Sequence, residues 1–507
     1  MQATDEQKLA LERATSGESF KILAYAGSGK TTTLRLISEA MPQRKGLYLA
    51  FNKAIATEAA QKFHRGVDCR TFHSLAFRQV PRALTDKLSA PRLTPQRLAE
   101  QHHLTPIDVR RKMDGRYEFF RLTAVRQATL ILNALTRFCA TASQHPHPRH
   151  FQMPDWLHES DAEQVATRLY PALEQTWHQA LSPSHPAGIS HDIYLKYWAL
   201  SRPVIPADYI LFDEAQDSDP LMLGVLMQQS QSQVIYVGDP YQQIYQWRGA
   251  VNAMQRLPLP ESRLTRSFRF GDTIAGVANT LLRELKETVP LEGQPNLQSA
   301  IDLTARMKQP DAILCRTNAR AMGLLIGGLQ QGHNVALQAD TDRLGRFVDA
   351  AAQLKLGRRV ELMELSGFQR WQDVQEYCDS VDGTDLKPLV KLVDEHGTEA
   401  LRRSLKALKP IAEADYVIST AHKAKGLEWN RVQIENDYNF KLVKGEPVIQ
   451  DDEIRLLYVA ATRARTLLNG YAVWPLIQTL AARQGHRFNA DNTLLPVPKS
   501  NSHSKIA

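Results

Sequence analysis

The sequence predicts an α/β protein in which parallel sheets carry the chemistry and helical insertions interrupt them. Two observations lead there. Six short apolar runs, KILAYAGSGKT, GLYLAFNK, DYILFDEAQD, QVIYVGDP, AILCRTN and DYVISTAHKAKG, end in polar turns and alternate with longer helical stretches. Runs of that length, rich in Val, Ile, Leu and Tyr, are what strands buried on both faces of a parallel sheet require. The second observation is length: 507 residues exceed one ordinary hydrophobic core, so about three or four structural units are expected. In such sheets ligands gather at the carboxyl ends of strands, where these polar turns fall.

Composition narrows the class. Hydrophobic residues make up 43% of the chain and charged residues 23%, and Lys+Arg 62 against Asp+Glu 54 leaves a formal charge of +8. That excess favours a polyanionic partner. The run MQATDEQKLALERATSG has no apolar segment flanked by basic residues, and no apolar run approaches the ~18 residues of a membrane span. A cytoplasmic, nucleoid-associated protein with no membrane partner is expected. Cys69, Cys139, Cys315 and Cys378 are isolated from one another, so reduced, mostly buried thiols are expected rather than a zinc site, an iron–sulfur cluster or a disulfide framework.

The first strand runs into AYAGSGKT, the order strand, glycine-rich turn, Lys-Thr that a P-loop needs. Backbone N–H groups over Ala26, Gly27, Ser28 and Gly29 can cradle phosphates, because glycine permits close approach and positive φ. Lys30 brings charge to the β/γ-phosphates of ATP, the Thr31 hydroxyl is a natural Mg²⁺ ligand, and Thr32 continues the turn into a helix. Ala24 stands where the first glycine of the motif is usual. Between about Val80 and Ala207 the strand rhythm gives way to a helical insertion, broken by PHPRHFQMPDW and LSPSHPAGISHD. Inside it Arg110, Arg111, Lys112, Arg116, Arg121 and Arg126 face only Asp114 and Glu118, and the run reads either as a solvated face or as a phosphate contact. Next, the apolar strand Leu211-Phe212 delivers Asp213, placed to hold Mg²⁺, and Glu214, placed to take a proton from an attacking water. A second helical stretch covers about Gly357 to Pro410, and the tail after Asn492 is polar and expected to be disordered.

From about Thr4 to Val473 these motifs and their order resemble the UvrD/Rep family of superfamily 1 DNA helicases. AYAGSGKTTTL, FNKAIATEA, CRTFHSLAF, LTRSFRFG and ADYVISTAHKAKGLEW resemble its F-box DNA helicase branch in particular. No F-box is expected, because the first helicase motif stands at the start of this sequence. The resemblance implies two RecA-like P-loop domains with parallel sheets. One is expected from 1–79 and 206–262 with insertion 80–205, the other from 263–356 and 410–490 with a reduced insertion 357–409, before a tail over 491–507.

The family's site residues carry over by position. Gln7 matches the glutamine that reads the adenine edge, although Thr4-x-x-Gln7 is also a plain helix-capping box. Phe268 matches the ring that stacks on the base, with a core phenylalanine as the alternative. Gln242 matches the γ-phosphate sensor. Arg269 and Arg463 match the pair that reaches the γ-phosphate from the second domain, where guanidinium forks stabilise transition-state charge. Glu428 matches the ribose contact. For DNA, Phe51, Asn52, Lys53, Thr71, Phe72 and His73 match the first-domain motifs, Tyr245, Trp247 and Arg248 the stacking platform, and His422 and Lys423 a backbone contact.

The resemblance therefore implies ATP hydrolysis with Mg²⁺, 3′→5′ movement on single-stranded DNA, and unwinding of a duplex with a 3′ single-stranded tail in repair or recombination. A recombinase or another protein subunit is a further expected partner. Arg266 stands where relatives carry Gln, and the short second insertion sets aside any regulation that needs a full-sized one. Three rival readings are a translocase that strips recombinase filaments, a motor on RNA, and an ATP-switched DNA-binding subunit that does not hydrolyse.

Overall fold

The computed structural model describes residues 3–113, 116–245, 252–362, 364–365, 368–379, 386–443 and 446–496. In chain order, β1 (Phe20–Ala24), β2 (Gly46–Ala50) and β3 (Val67–Thr71) precede a hairpin of β4 (Ile107–Met113) and β5 (Arg116–Leu122). The strands β6 (Tyr209–Phe212), β7 (Gln233–Gly238) and β8 (Glu261–Leu264) complete the first half of the chain. The first sheet has the order β3-β2-β6-β7-β1-β8, every pair parallel. Its strands are buried on both faces, as the apolar runs require: β2, β6 and β7 have no exposed residue.

The second sheet is built from β9 (Ala300–Asp302), β10 (Ala312–Cys315), β11 (Val335–Gln338), β12 (Tyr416–Thr420) and β13 (Trp429–Ile434). After a hairpin of β14 (Phe440–Val443) and β15 (Glu446–Ile449) comes β16 (Ala464–Asn469). The order is β11-β12-β10-β13-β16-β9, again wholly parallel. Two parallel α/β lobes are thus present, as the sequence predicts. The lobes touch: Tyr25, Ala26, Tyr241 and Ile244 of the first pack into the apolar core of the second.

The first insertion departs from a purely helical one. Helices Ala124–Cys139, Glu159–Leu181 and His191–Leu200 form it together with the β4–β5 hairpin, which occupies most of the basic run. Alternation explains the hairpin: Val109 and Leu122 point into the core while their neighbours face outward, a period of two that no helix can satisfy. The sequence also carries Asp114-Gly115, a two-residue hairpin signal, at a position outside the described residues.

One buried cation in this insertion has a structural account. Lys196 is fully buried, donating to the carbonyls of Thr141 (2.7 Å) and Ser143 (2.6 Å), with its ammonium 4.3 Å from the Phe138 ring. Lys196→Ala is expected to destabilise the protein by about 2–4 kcal/mol, because two buried carbonyls lose a charged donor. Chemical denaturation measures this.

Helices Trp371–Asp379, Lys387–His396 and Thr398–Lys406 share one core with helices Asn318–Gln330 and Thr341–Lys355, through Val374, Val390 and Leu401 against Leu325 and Phe347. These three helices therefore pack onto the two helices that precede them. At the carboxyl end, the expected disorder is corrected over 491–496, and residues 497–507 of the expected tail lie outside the described residues. A strand β18 (Leu494–Pro496) pairs antiparallel with β17 (His486–Phe488), and Leu494 lies over Gly276, where a side chain would meet its Cβ at 3.1 Å. Apolar burial, supplied also by Phe488 against Trp474, holds this end in place. None of the four cysteines is in a disulfide, and three of them are buried. Among the described residues no helix is long and apolar enough to cross a membrane.

Candidate nucleotide site between the lobes

The carboxyl ends of β1, β6 and β7 adjoin in register, so the turns that follow them converge. After β1 the chain turns through Gly27 (φ +73°) and Gly29 (φ +78°), and helix Lys30–Glu39 begins. Left-handed backbone at both positions suits glycine. So does crowding: a side chain on Gly27 would meet Ser267 Oγ at 2.5 Å and Arg269 Cβ at 2.7 Å. The segment 267–269 thus closes against the turn, with Phe268 N–H donating to the Gly27 carbonyl (2.8 Å) and the Phe268 ring beside Gly29. Ser28 is buried, Thr31 half-buried and Thr32 exposed. Lys30 Nζ lies 3.4 Å from the Ala24 carbonyl oxygen.

Gln7 is buried, and both ends of its amide are engaged. Oε1 accepts from Thr4 N–H (3.0 Å) and Nε2 donates to Thr33 Oγ1 (3.0 Å). The capping box is therefore formed, and it holds Gln7 beside the phosphate turn.

Asp213 is buried at the end of β6, with Oδ2 accepting from Tyr48 OH (2.7 Å) and Oδ1 from Glu214 N–H (2.9 Å). Burial and the neighbouring Glu214 push its carboxyl above the usual range. Burial would also raise Glu214, but Lys30 and Lys425 outweigh it and keep that carboxyl low and ionised. Glu214 sits at φ +53°, a left-handed backbone that costs a residue with a Cβ about 1–3 kcal/mol. Gln216 holds its carboxylate through Nε2 and accepts from Asp239 N–H at 3.0 Å, which ties the ends of β6 and β7 together.

The second lobe reaches this cluster with three side chains. Arg463, 1% exposed, places Nη2 3.3 Å from Gln242 Oε1, while Gln242 Nε2 donates to Asp239 Oδ2 (2.7 Å). Tyr458 OH donates to Asp239 Oδ2 (3.1 Å) and accepts from Ala26 N–H (3.2 Å). Lys425 Nζ pairs with Asp217, donates to the Gln242 carbonyl (2.7 Å) and lies 3.9 Å from Glu214 Oε2. Burial opposes its charge, but Asp217 and Glu214 hold it protonated. Arg269 Nε is 2.7 Å from Glu428 Oε2, and its Nη1 donates to the Thr462 carbonyl (2.9 Å). Lys425, Gln216, Asp217, Asp239 and Tyr458 carry no role in the sequence reading, although Gln216 and Asp217 directly follow the Asp213-Glu214 pair, Asp239 lies in VGDP and Lys425 precedes the glycine of HKAKG.

Among the described residues no group of three or more His, Cys, Asp or Glu side chains could hold a metal ion by itself. Mg²⁺ commonly takes one or two carboxylates together with substrate phosphates, and Asp213, buried directly after β6, is a carboxylate of that kind; Asp217 Oδ1 nearby is buried with no hydrogen-bond partner.

The sequence-predicted DNA residues divide. Phe51, 44% exposed, stacks on Tyr245 with centroids 5.7 Å apart and planes 15° apart, and Tyr245 OH donates to the His422 carbonyl (3.1 Å). Exposed Lys53 and Lys423 flank this group in sequence. His73 faces Asp192 at 3.6 Å. Asn52 and Thr71 cap helices with their side chains. Phe72 is corrected: at 2% exposure, edge-on to Phe212 at 5.5 Å, it belongs to the core and offers no stacking face. Trp247 and Arg248 lie outside the described residues.

Comparison with known families decides what this seam belongs to. The UvrD/REP helicase N-terminal domain model matches residues 3–256, and the UvrD-like helicase C-terminal domain model matches residues 415–469. The chain belongs to the UvrD/Rep helicase family. Similar members of that family are F-box DNA helicase 1 of Gallus gallus, 29% identical over 92% of this chain and 48% of that protein, and F-box DNA helicase protein 1 of Schizosaccharomyces pombe, 28% identical over 92% and 57%. The chain spans about half the length of these curated relatives.

Proposed function

We propose that the protein is an ATP-driven motor that moves 3′→5′ along single-stranded DNA and separates duplexes or displaces bound proteins in repair or recombination. The observation that carries the reading is the contact of buried Arg463 with Gln242, whose amide continues to Asp239. A guanidinium from one lobe and the phosphate turn of the other then meet at one seam, so closing the seam completes the site.

In this mechanism Lys30 and the N–H groups of Gly27 and Gly29–Thr32 bind the phosphates, the Ala26 N–H being taken by Tyr458 and that of Ser28 by the Tyr25 carbonyl, and Gln7, Phe268 and Glu428 position the nucleoside. Thr31 and Asp213 would hold Mg²⁺, which when bound neutralises phosphate charge. Glu214, kept ionised by its lysine neighbours, accepts the proton of the attacking water. Arg463 and Arg269 stabilise charge that spreads over the transferring phosphoryl oxygens. The Lys425 pairing couples chemistry to DNA, because the same ammonium lies 5.7 Å from the Tyr245 ring, which stacks on Phe51.

Strand displacement on duplexes with a 3′ or a 5′ single-stranded tail tests the polarity. ATP-dependent separation of the 3′-tailed duplex, with ATP turnover stimulated by DNA and not by RNA, is the expected result. Separation of the 5′-tailed duplex alone would remove the assigned direction.

A further inference from the structure

The outward face of the β4–β5 hairpin has no role in the seam. In its register Asp108 pairs with Arg121, Arg110 with Phe119 and Lys112 with Tyr117, so these side chains share one face. The opposite face is occupied. Val109 is buried, and Phe120 packs edge-on to Trp156 at 5.1 Å. The Arg126 guanidinium lies 4.9 Å from the Phe120 ring and 5.0 Å from the Tyr377 ring, which fastens the hairpin to the helical layer of the second lobe. On the outward face Phe119 is 85% exposed and Tyr117 53%. Arg110 is committed to Asp161 at 2.6 Å. Exposed Lys112 and Arg121 form no ion pair among the described residues.

We propose that this face is an additional contact for single-stranded DNA, in which Phe119 and Tyr117 stack on unpaired bases while Lys112 and Arg121 hold phosphates. The inference rests on the DNA-motor reading and adds a site to it. Ring and cation stand directly across the strands from each other at Lys112 and Tyr117, and Tyr117 and Phe119 repeat about 7 Å apart along β5. A polymer that alternates flat bases with phosphates complements that pattern. A duplex, whose base faces are stacked against one another, offers the rings nothing. The free cations also argue for a polyanion over an apolar protein surface.

The test uses the full chain and a fluorescently labelled single-stranded oligonucleotide, with a blunt duplex as comparison and thermal melting as the check on folding. Phe119→Ala alone and Phe119→Ala with Tyr117→Ala are expected to weaken single-strand binding progressively, the pair by about tenfold or more, with duplex binding unchanged. Lys112→Glu with Arg121→Glu is expected to weaken binding and to flatten its salt dependence. Normal wild-type binding with unaltered variants would overturn the contact alone, as would equal losses on duplex and single strand from the aromatic pair. A wild-type chain that fails to bind single strands would overturn the motor reading and this contact together. Tyr117 packs against His158 at 4.8 Å, so Phe119→Ala, which touches no such ring among the described residues, decides the matter if the pair misfolds.

Discussion

Glu214→Gln is expected to lower DNA-stimulated ATP turnover by about 10²–10⁴-fold, the range a positioned general base contributes, while nucleotide still binds. Three features converge on this side chain. Its backbone is held at φ +53°, a conformation that persists only when the surroundings over-determine it. Gln216 orients the carboxylate. Lys30 and Lys425 keep it ionised against its burial, so it is ready to take a proton at neutral pH. Gln has the same shape and can still accept from Gln216, so folding is preserved and only the base is lost. Lys30→Ala should reach a similar loss by a different route, weakening phosphate binding as well. Steady-state turnover together with nucleotide affinity separates the two, and undiminished turnover in both variants would remove the site assignment.

The phosphate turn and the Asp213-Glu214 pair were legible because each is a contiguous run whose chemistry is local. The parallel sheets were legible for a related reason: strands buried on both faces leave short uniform apolar runs. What escaped reading is what only tertiary structure assembles. Tyr458 reaches Ala26 across 432 positions and Lys425 reaches Asp217 across 208, and no spacing rule links such pairs. Phe72 lies in a run that resembles a DNA-binding motif, yet the helix that Thr71 caps turns it inward onto Phe212. The β4–β5 hairpin lies between strongly helical segments, and two seven-residue strands with few apolar positions, Val109, Phe120 and Leu122 among them, do not stand out from that background. Gln7 shows one residue serving two descriptions: the cap fixes its place, and that place is beside Gly29, at 3.6 Å from where a side chain on that residue would begin.

Arg463→Met is expected to reduce DNA-stimulated turnover by about 10³-fold or more, the effect of losing a guanidinium from a transferring phosphoryl group, while the chain stays folded at assay temperature with a modestly lowered melting temperature. The size of the kinetic loss in a folded chain distinguishes a chemical role from a structural one. Arg463 donates to the carbonyls of Val459 (2.8 Å) and Leu427 (3.2 Å) and to Gln242 Oε1 (3.3 Å), yet forms no ion pair among the described residues. Burial, with Arg269 alongside, pulls its pKa down to about 9. Neutral acceptors satisfy the N–H groups of a buried guanidinium without balancing its charge, and burying an unbalanced charge is costly to the fold. The charge is therefore held in reserve for an anion that arrives between the lobes. Arg463→Lys should restore little turnover, because a point charge on a flexible stem cannot reproduce the planar fork. ATP turnover and melting temperature, measured on the same preparations, give the answer: a chain that melts markedly earlier while hydrolysing ATP within a few-fold of wild type would make Arg463 a structural arginine and dissolve the two-sided site.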